Sequence, residues 1–414
     1  MLKKSLNTIL VLIISSLLGL ILLTVSFVLP NDTIQSNASI SSILLTHEGL
    51  YPKKIEGIKA TEMDNYTDAI MINSASFDYG GYSIAEKALG INHFEVDWSN
   101  DQIVHLYEHY NDEEAICNIR PYSRYWHGYI TLLRPLLTVC NYSWIRFIQF
   151  MLHISLLFVF ATLLKDETGL LNIIDFFTVY LIFACFVLPY SLQLSQVFNI
   201  ALFFGSILLY KYDYLKKKNL LDYFFLIIGI FTSYFDLLTY PIVALGINLI
   251  ILTLLDKDIK PSIVIKNIIM WFVGYGGMWF MKWVLASLVL RENIFLDAYK
   301  AIVFRSSDIA DDVKVNLCDT TLVNFDYINN KITFLLFVLT VVTNVACTFK
   351  NKKLKFNIYK ALNLIIVALL PLIWYFVLRE HSFTHPSLEF RTLMPLMWCL
   401  LCIPSCFSRE VEKN

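Results

Sequence analysis

Two aspartates, Asp64 and Asp68, stand four residues apart in a segment that begins polar at Thr61 and becomes apolar before Ile72. If the segment is a helix capped by Thr61 or Asp64, the two carboxylates lie one turn apart on one face. A carboxylate that is ionised yet partly desolvated can remove a proton from a substrate hydroxyl, while its neighbour orients a partner. The spacing alone fits a helix cap and a solvated turn at least as well, so both interpretations stay open.

A second group alternates cations with aromatic rings just before an apolar segment. It contains Arg120, Arg124, His127 and Arg134, interleaved with tyrosines and a tryptophan. Arginine forks onto phosphate oxygens, and tyrosine and tryptophan are frequent at membrane interfaces. The pattern suits the binding of an amphiphile with a phosphate head and an apolar tail. It equally suits an aromatic belt with basic anchors.

Two further polar groups interrupt apolar stretches later in the chain. Asp236 lies between two such stretches, where a carboxylate is costly and by default functional, although it also suits a helix cap. His381, His385 and Arg391 follow in a short loop, with Glu380 beside the first histidine. Two histidines four residues apart resemble half of a zinc site, but no third ligand is obvious. Contacts to a phosphate or a sugar hydroxyl are the favoured interpretation, and a plain connecting loop is the alternative.

The composition indicates which elements must position these residues. Hydrophobic residues make up 57% of the 414-residue chain and charged residues 16%, against roughly 25% charged residues in globular proteins. A soluble domain of this size could not bury so much apolar surface. The chain is therefore predicted to be an all-α polytopic membrane protein, forming one membrane domain over residues 1–414. Its partner is the lipid bilayer, and no nucleic-acid partner is expected.

Ten apolar stretches approach the length needed to cross a hydrocarbon core of about 30 Å. They are 6–29, 144–164, 170–188, 197–210, 221–238, 239–255, 267–290, 332–348, 360–378 and 392–406. Several are short, so the prediction is about ten transmembrane helices within a range of 9–13. The first, 6–29, is longer than a signal-peptide core and lacks a small-residue cleavage site, so it is interpreted as an uncleaved transmembrane helix.

Basic residues predict the orientation of these helices in the cell membrane. With Lys3 and Lys4 inside, the lysine-rich connections of a ten-span topology fall on the same side: Lys165, Lys211, Lys216 to Lys218, Lys257 to Lys266, and Lys350 to Lys360. Both termini, including the tail 407–414, are then cytoplasmic. Residues 30–143 form a large extracytoplasmic loop with amphipathic helices, and the remaining spans lie within 144–406. All four polar groups fall at the outer face.

Taken together, the four groups resemble the polytopic glycosyltransferases of the GT-C superfamily, in particular uncharacterised bacterial members. The matching blocks read Asp-Asn-Tyr-Thr-Asp, Ser-Arg-Tyr-Trp-His-Gly-Tyr, Phe-Asp-Leu-Leu-Thr-Tyr-Pro and Glu-His-Ser-Phe-x-His. The resemblance implies a GT-C-like fold and a donor made of a sugar on a polyprenyl phosphate. It also implies transfer to a glycan or lipid acceptor at the outer face, in the modification of cell-envelope glycans.

The resemblance further implies roles for individual residues. Asp64 would be the catalytic base with Asp68 in support, although the acid lies farther from the first span than is usual in the superfamily. The predicted substrate or phosphate ligands are Arg120, Arg124, His127, Arg134, Asp236, His381, His385 and Arg391. No cofactor is certain, and a divalent cation is possible because some members need one. A lipid-linked sugar polymerase or ligase, which needs no carboxylate base, and a transporter or flippase, which needs polar groups at mid-bilayer, remain the alternatives.

Overall fold

The structure, a computed structural model, describes residues 2–78, 80–112, 114–310, 312–350 and 354–409. Residues 351–353 of a predicted lysine-rich connection and residues 410–414 of the predicted cytoplasmic tail lie outside the described residues. The described chain is mostly helical, with three two-stranded antiparallel sheets. This agrees with the predicted all-α class.

The first helix leads into a set of shorter elements. The helices are α1 (Leu2–Ser26), α2 (Asn31–Glu48), α3 (Asn65–Ser76), α4 (Ile84–Gly90), α5 (Gln102–Asn111) and α6 (Ile130–Leu137). Strands β1 (His93–Val96) and β2 (Cys117–Arg120) pair antiparallel, and a 3₁₀ helix covers Lys59–Thr61. We call residues 30–141 the cap, which corresponds to the predicted large loop.

The rest of the chain forms the helical bundle. Its helices are α7 (Tyr142–Thr168), α8 (Leu170–Ile182), α9 (Leu192–Lys217), α10 (Leu221–Phe235), α11 (Ile242–Leu255), α12 (Pro261–Leu290), α13 (Ile294–Arg305), α14 (Leu317–Phe325), α15 (Lys331–Phe349), α16 (Ile358–Val377), α17 (Arg379–Thr384), α18 (Pro386–Glu389) and α19 (Met394–Cys402). The remaining strands are β3 (Ile309–Ala310), β4 (Val313–Lys314), β5 (Leu354–Phe356) and β6 (Phe407–Arg409). Further 3₁₀ helices cover Cys185–Tyr190, Phe390–Leu393 and Ile403–Cys406.

Six of the described helices are long and apolar enough to cross a membrane, namely α1, α7, α9, α12, α15 and α16. Helices α8, α10 and α11 are apolar but shorter. The last predicted span, 392–406, is divided between α19 and the 3₁₀ turn after it. The six long helices support the membrane class, and the count of ten spans stays a prediction.

Ion pairs bring the lysine-bearing helix ends together. Lys4 at the start of α1 and Lys266 at the start of α12 both contact the carboxylate of Asp222 at the start of α10. Lys216 at the end of α9 lies 2.7 Å from Asp256, which follows α11. We call this the lysine-rich end of the bundle, and the cap packs at the opposite end of the same helices. The predicted topology, and the side of the membrane that each end faces, stay predictions.

Two glycines allow α10 and α12 to pack closely. A Cβ atom at Gly229 would lie 2.1 Å from the carbonyl oxygen of Trp271, and one at Gly274 would lie 2.1 Å from that of Leu226. Small residues let helix backbones approach in this way in membrane proteins. The close packing of α10 against α12 supports the turn after α10, which carries Asp236.

Candidate functional site

The polar groups singled out in the sequence meet at the cap end of the bundle. The backbone N–H of Gly128 donates to the carbonyl oxygen of Tyr234 at 2.8 Å, which joins the arginine–aromatic group to the end of α10, just before the α10–α11 turn. The Nε2 atom of His381 lies 2.8 Å from the carbonyl oxygen of Leu238, which joins the histidine group to the same turn. Segments more than a hundred residues apart in sequence are therefore in direct contact.

A cavity of about 470 Å³, which we call the polar cavity, opens between these groups. Its lining includes Tyr51, Asp64, Tyr66, Arg305, His381 and His385. The predicted base, His381 and His385 thus share one cavity with an arginine that the sequence did not single out.

Asp64 is the N-cap of α3 and faces this cavity with one oxygen unused. Its Oδ1 atom accepts a hydrogen bond from the backbone N–H of Thr67 at 3.0 Å. Its Oδ2 atom is buried and has no hydrogen-bond partner among the described residues, and the residue is only 4% exposed. Burial raises the pKa of the Asp64 carboxyl, against the opposing effects of Thr67 and the charge of Arg391. A desolvated carboxylate with a free oxygen beside a cavity is suited to accept a proton from a ligand.

Asp68 has the opposite surroundings, although it lies one turn along the same helix. It is fully buried and accepts hydrogen bonds from the Tyr142 hydroxyl, the Ser191 hydroxyl at 3.0 Å and the backbone N–H of Gln193 at 2.9 Å. Burial, together with the charge of Asp64, raises the pKa of Asp68 to about 7. It does not line the polar cavity, and its contacts fasten α3 to the starts of α7 and α9.

The two histidines are neutral hydrogen-bonding groups in this arrangement. Burial lowers the pKa of His381 well below its usual range, and burial with the charge of Arg305 lowers that of His385. Because the Nε2–H of His381 donates to the carbonyl of Leu238, its Nδ1 atom is the acceptor of the neutral ring. That Nδ1 atom is buried without a partner in the described chain. The pair is therefore suited to hydroxyl groups, and the cationic charge of the cavity comes from Arg305.

An apolar cavity of about 310 Å³ adjoins the polar one. Its lining is aromatic and aliphatic apart from two arginines, and the aromatic residues include Phe272, Tyr275, Trp279, Trp283 and Trp374. Two residues, Leu238 and Arg305, line both cavities.

Arg305 is the last residue of α13 and donates a hydrogen bond to the Tyr125 hydroxyl. Helix α13 exposes a series of apolar side chains, among them Leu296, Val303 and Phe304. The same helix also exposes Asp297 and Lys300, so its outer surface combines apolar and charged side chains, as in helices that lie at a membrane interface.

The predicted arginines differ in their placement. Arg124 lines the apolar cavity and lies 3.3 Å from the carboxylate of Asp297. Arg120 on β2 is exposed, pairs with Glu95 at 3.2 Å, and lines neither cavity. Of the two, only Arg124 is close to the candidate site.

Arg134 and Arg391 are fully buried among backbone carbonyls. Arg134 donates to the carbonyl oxygens of Ser26 and Ala75, which joins the end of α1 to the end of α3. Arg391 donates to the carbonyl oxygens of Ser387 at 2.8 Å and Ala60 at 3.3 Å. Neither lines the cavities, so the structure does not bring these two predicted phosphate ligands to the site.

Two further predicted ligands are satisfied within the protein. His127 is buried, with its ring nitrogens 3.0 Å from the Tyr129 hydroxyl and 2.8 Å from the carbonyl oxygen of Tyr122. Asp236 follows α10 and accepts a hydrogen bond from the backbone N–H of Thr239 at 2.9 Å. Both residues hold the backbone around the site and line neither cavity.

Among the described residues, no three His, Cys, Asp or Glu side chains come together as a group that could hold a metal ion. The possible divalent cation stays a prediction. Comparison with family models, with curated proteins and with solved structures finds no match to this chain. The helices define the class of protein, a helical membrane protein, and the resemblance to the GT-C superfamily stays a prediction.

Proposed function

We propose that this chain is a membrane-embedded glycosyltransferase that moves a sugar from a polyprenyl-phosphate donor to an acceptor hydroxyl at the outer face of the cytoplasmic membrane. One observation carries the proposal. A polar cavity with a free buried carboxylate oxygen adjoins an aromatic-lined apolar cavity, and a guanidinium lies at their junction. A lipid-linked sugar has the same order of parts, since its phosphate lies between an apolar tail and a polar ring.

In this proposal the first isoprene units of the donor lie among the tryptophans of the apolar cavity. The phosphate lies at Arg305, whose guanidinium can fork onto two phosphate oxygens. Arg124, on the apolar side, adds a second positive charge. The sugar then extends into the polar cavity, where the histidines offer neutral hydrogen-bonding groups to its hydroxyls.

Asp64 is the proposed general base. The acceptor hydroxyl gives its proton to Oδ2 of Asp64 as the hydroxyl oxygen attacks the anomeric carbon of the donor sugar. The bond between that carbon and the phosphate oxygen breaks, and the lipid phosphate leaves with the bonding electron pair. Because the hydroxyl attacks from the face opposite the phosphate, the configuration of the anomeric carbon is inverted. Arg305 stabilises the charge that develops on the phosphate in the transition state.

The proposed topology has ten spans with both termini in the cytoplasm. The lysines gathered at the end of the bundle opposite the cap support it, because short basic connections face the cytoplasm. The cap and both cavities then face outward, where an extracytoplasmic acceptor is available.

Asp64→Asn tests the proposal. The amide retains the shape of the side chain but removes the base, and we expect the rate of sugar transfer to fall by about 10²–10⁴-fold. Transfer is measured with the purified chain in phospholipid nanodiscs, supplied with polyprenyl-phosphate donors that carry radiolabelled hexoses. Asp97→Asn, at an exposed cap aspartate that accepts a hydrogen bond from Asn118, is the matched control and should transfer normally. A rate close to that of the wild type in Asp64→Asn would contradict the assignment.

A further inference from the structure

We infer that the part of the polar cavity lined by Tyr51, Tyr66 and Tyr122 is a subsite for a neutral carbohydrate ring that enters from the cap side. The inference rests on the proposed function in one respect, namely that the bound ring belongs to the acceptor. Binding itself is independent of transfer.

Helix α3 leaves one narrow face unpacked beside the free carboxylate. Nine of its twelve residues are buried, and the remaining three, Tyr66, Thr67 and Ile70, all line the polar cavity. Residues four apart lie on one side of a helix, so these three form a continuous strip that starts next to Asp64. The surface next to the proposed base is thus open to a ligand.

The tyrosines of this strip and its neighbourhood line the cavity with their side chains. The rings of Tyr51 and Tyr66 stack with centroids 6.4 Å apart and 17° between their planes. Tyr66 and Tyr122 are partly exposed and Tyr51 is 47% exposed, so these rings are accessible without unfolding. Tyrosine combines an apolar face with a polar hydroxyl. A pyranose ring has the complementary pattern, an apolar face of C–H groups bordered by hydroxyls.

Charge is distributed unequally around the cavity. The polar side chains that accompany the tyrosines, Thr67, Asn100 and Gln193, are uncharged and both donate and accept hydrogen bonds, as sugar hydroxyls do. Arg305, the permanently charged cation among the lining residues, is shared with the apolar cavity. An anionic group is therefore favoured at Arg305, and a neutral ring is favoured beside the tyrosines.

The exposed residues of the cavity indicate the direction of entry. Tyr51 and Asn100 are exposed and belong to the cap, whereas Leu238, at the junction with the apolar cavity, is buried. A ligand that arrives from water meets the tyrosines first, and one that arrives from lipid meets Arg305 first. This favours a water-facing glycan as the acceptor over a second lipid-linked substrate.

The test measures binding of neutral tetrasaccharides of glucose, mannose, galactose and N-acetylglucosamine to the full chain in nanodiscs by saturation-transfer NMR. We expect saturable binding of at least one tetrasaccharide by the wild type. The double variant Tyr51→Ala, Tyr66→Ala should bind at least tenfold more weakly. Tyr214→Ala, at an exposed tyrosine near the lysine-rich end of α9, is the matched control and should bind as the wild type does.

Two results would overturn the subsite: no saturable binding of any of the four tetrasaccharides by folded wild-type protein, or equal binding by the double variant. Tyrosine-dependent binding without sugar transfer from any donor would retain the subsite and remove the proposed function. Transfer that persists while the double variant binds normally would retain the function and remove the subsite. The two proposals therefore fail separately.

Discussion

Asp64 caps α3 and Asp68 lies one turn further along the helix, yet one borders a cavity and the other lies in a packed junction. Asp64 has an oxygen atom without a partner among the described residues, whereas Asp68 accepts hydrogen bonds from a tyrosine, a serine and a backbone amide. Burial raises the pKa of both carboxyls. A raised pKa therefore does not distinguish a reactive acid from a structural one here, and the unused hydrogen-bonding capacity does.

The largest expected difference between the two acids is in the effect of their replacement on folding. Asp68→Ala leaves the donors of Tyr142, Ser191 and Gln193 unpaired in a buried site, at about 1–3 kcal/mol for each unsatisfied group. We expect a much reduced yield of folded protein and a clear loss of thermal stability in detergent, followed by tryptophan fluorescence. Asp68→Asn, which keeps an acceptor oxygen, should be affected far less. Wild-type stability in Asp68→Ala would show that the junction does not depend on this carboxylate.

The same comparison applies to the arginines, since Arg305 borders the cavities and Arg120 does not. Arg305→Gln removes a charge-assisted contact to the donor phosphate, worth about 1.5–3 kcal/mol, so kcat/KM for the lipid donor should fall by roughly 10–100-fold. Kinetics at varied donor concentration measure the change. Arg120→Gln, whose exposed ion pair with Glu95 is distant from the site, should leave kcat/KM unchanged. Equal losses in both variants would count against a phosphate at Arg305.

A further effect is on the pH dependence of stability. The pKa of Asp68 is about 7 in the folded chain against an ordinary 3.8. Between these values the folded state holds a proton that the unfolded state has released, so stability falls as the pH rises through this window. The contribution is about 1.4 kcal/mol per pH unit. Thermal unfolding at pH 5 and pH 7 should show a smaller difference for Asp68→Asn than for the wild type. If the wild type and Asp68→Asn lose the same stability between pH 5 and pH 7, Asp68 is not the source of the pH dependence.

The sequence predicts the helices well because apolar stretches of sufficient length have few alternatives. Placing the lysines on one side also predicted that Asp64 and His381 would share a face, and they share a cavity. The separate roles of Asp64 and Asp68 could not be predicted, because they depend on Tyr142 and Ser191, which are distant in sequence and reach Asp68 only through tertiary packing.

No spacing in the sequence distinguishes Arg305 from Arg291 and Lys300, which precede it in the same segment. The importance of Arg305 arises from the way α13 packs beside α12, which brings the end of the helix to the junction of the two cavities. Arg134 and Arg391 are the opposite case. Their positions in the sequence suggest phosphate ligands, but in the fold their guanidinium groups donate hydrogen bonds to backbone carbonyl oxygens. The sequence near a membrane interface therefore identifies arginines that could bind a phosphate. It does not reveal which of them the fold leaves without protein hydrogen-bond acceptors.

Leu238 lines both cavities with an aliphatic side chain, on a backbone with a φ of 67°. Glycine would adopt this left-handed conformation without strain but would remove the aliphatic side chain from the junction. In a transferase, water that crosses this point would compete with the acceptor for the activated sugar, and the donor would be hydrolysed without product. The fidelity of the proposed reaction, as distinct from its rate, would then depend on a residue that takes no part in the chemistry.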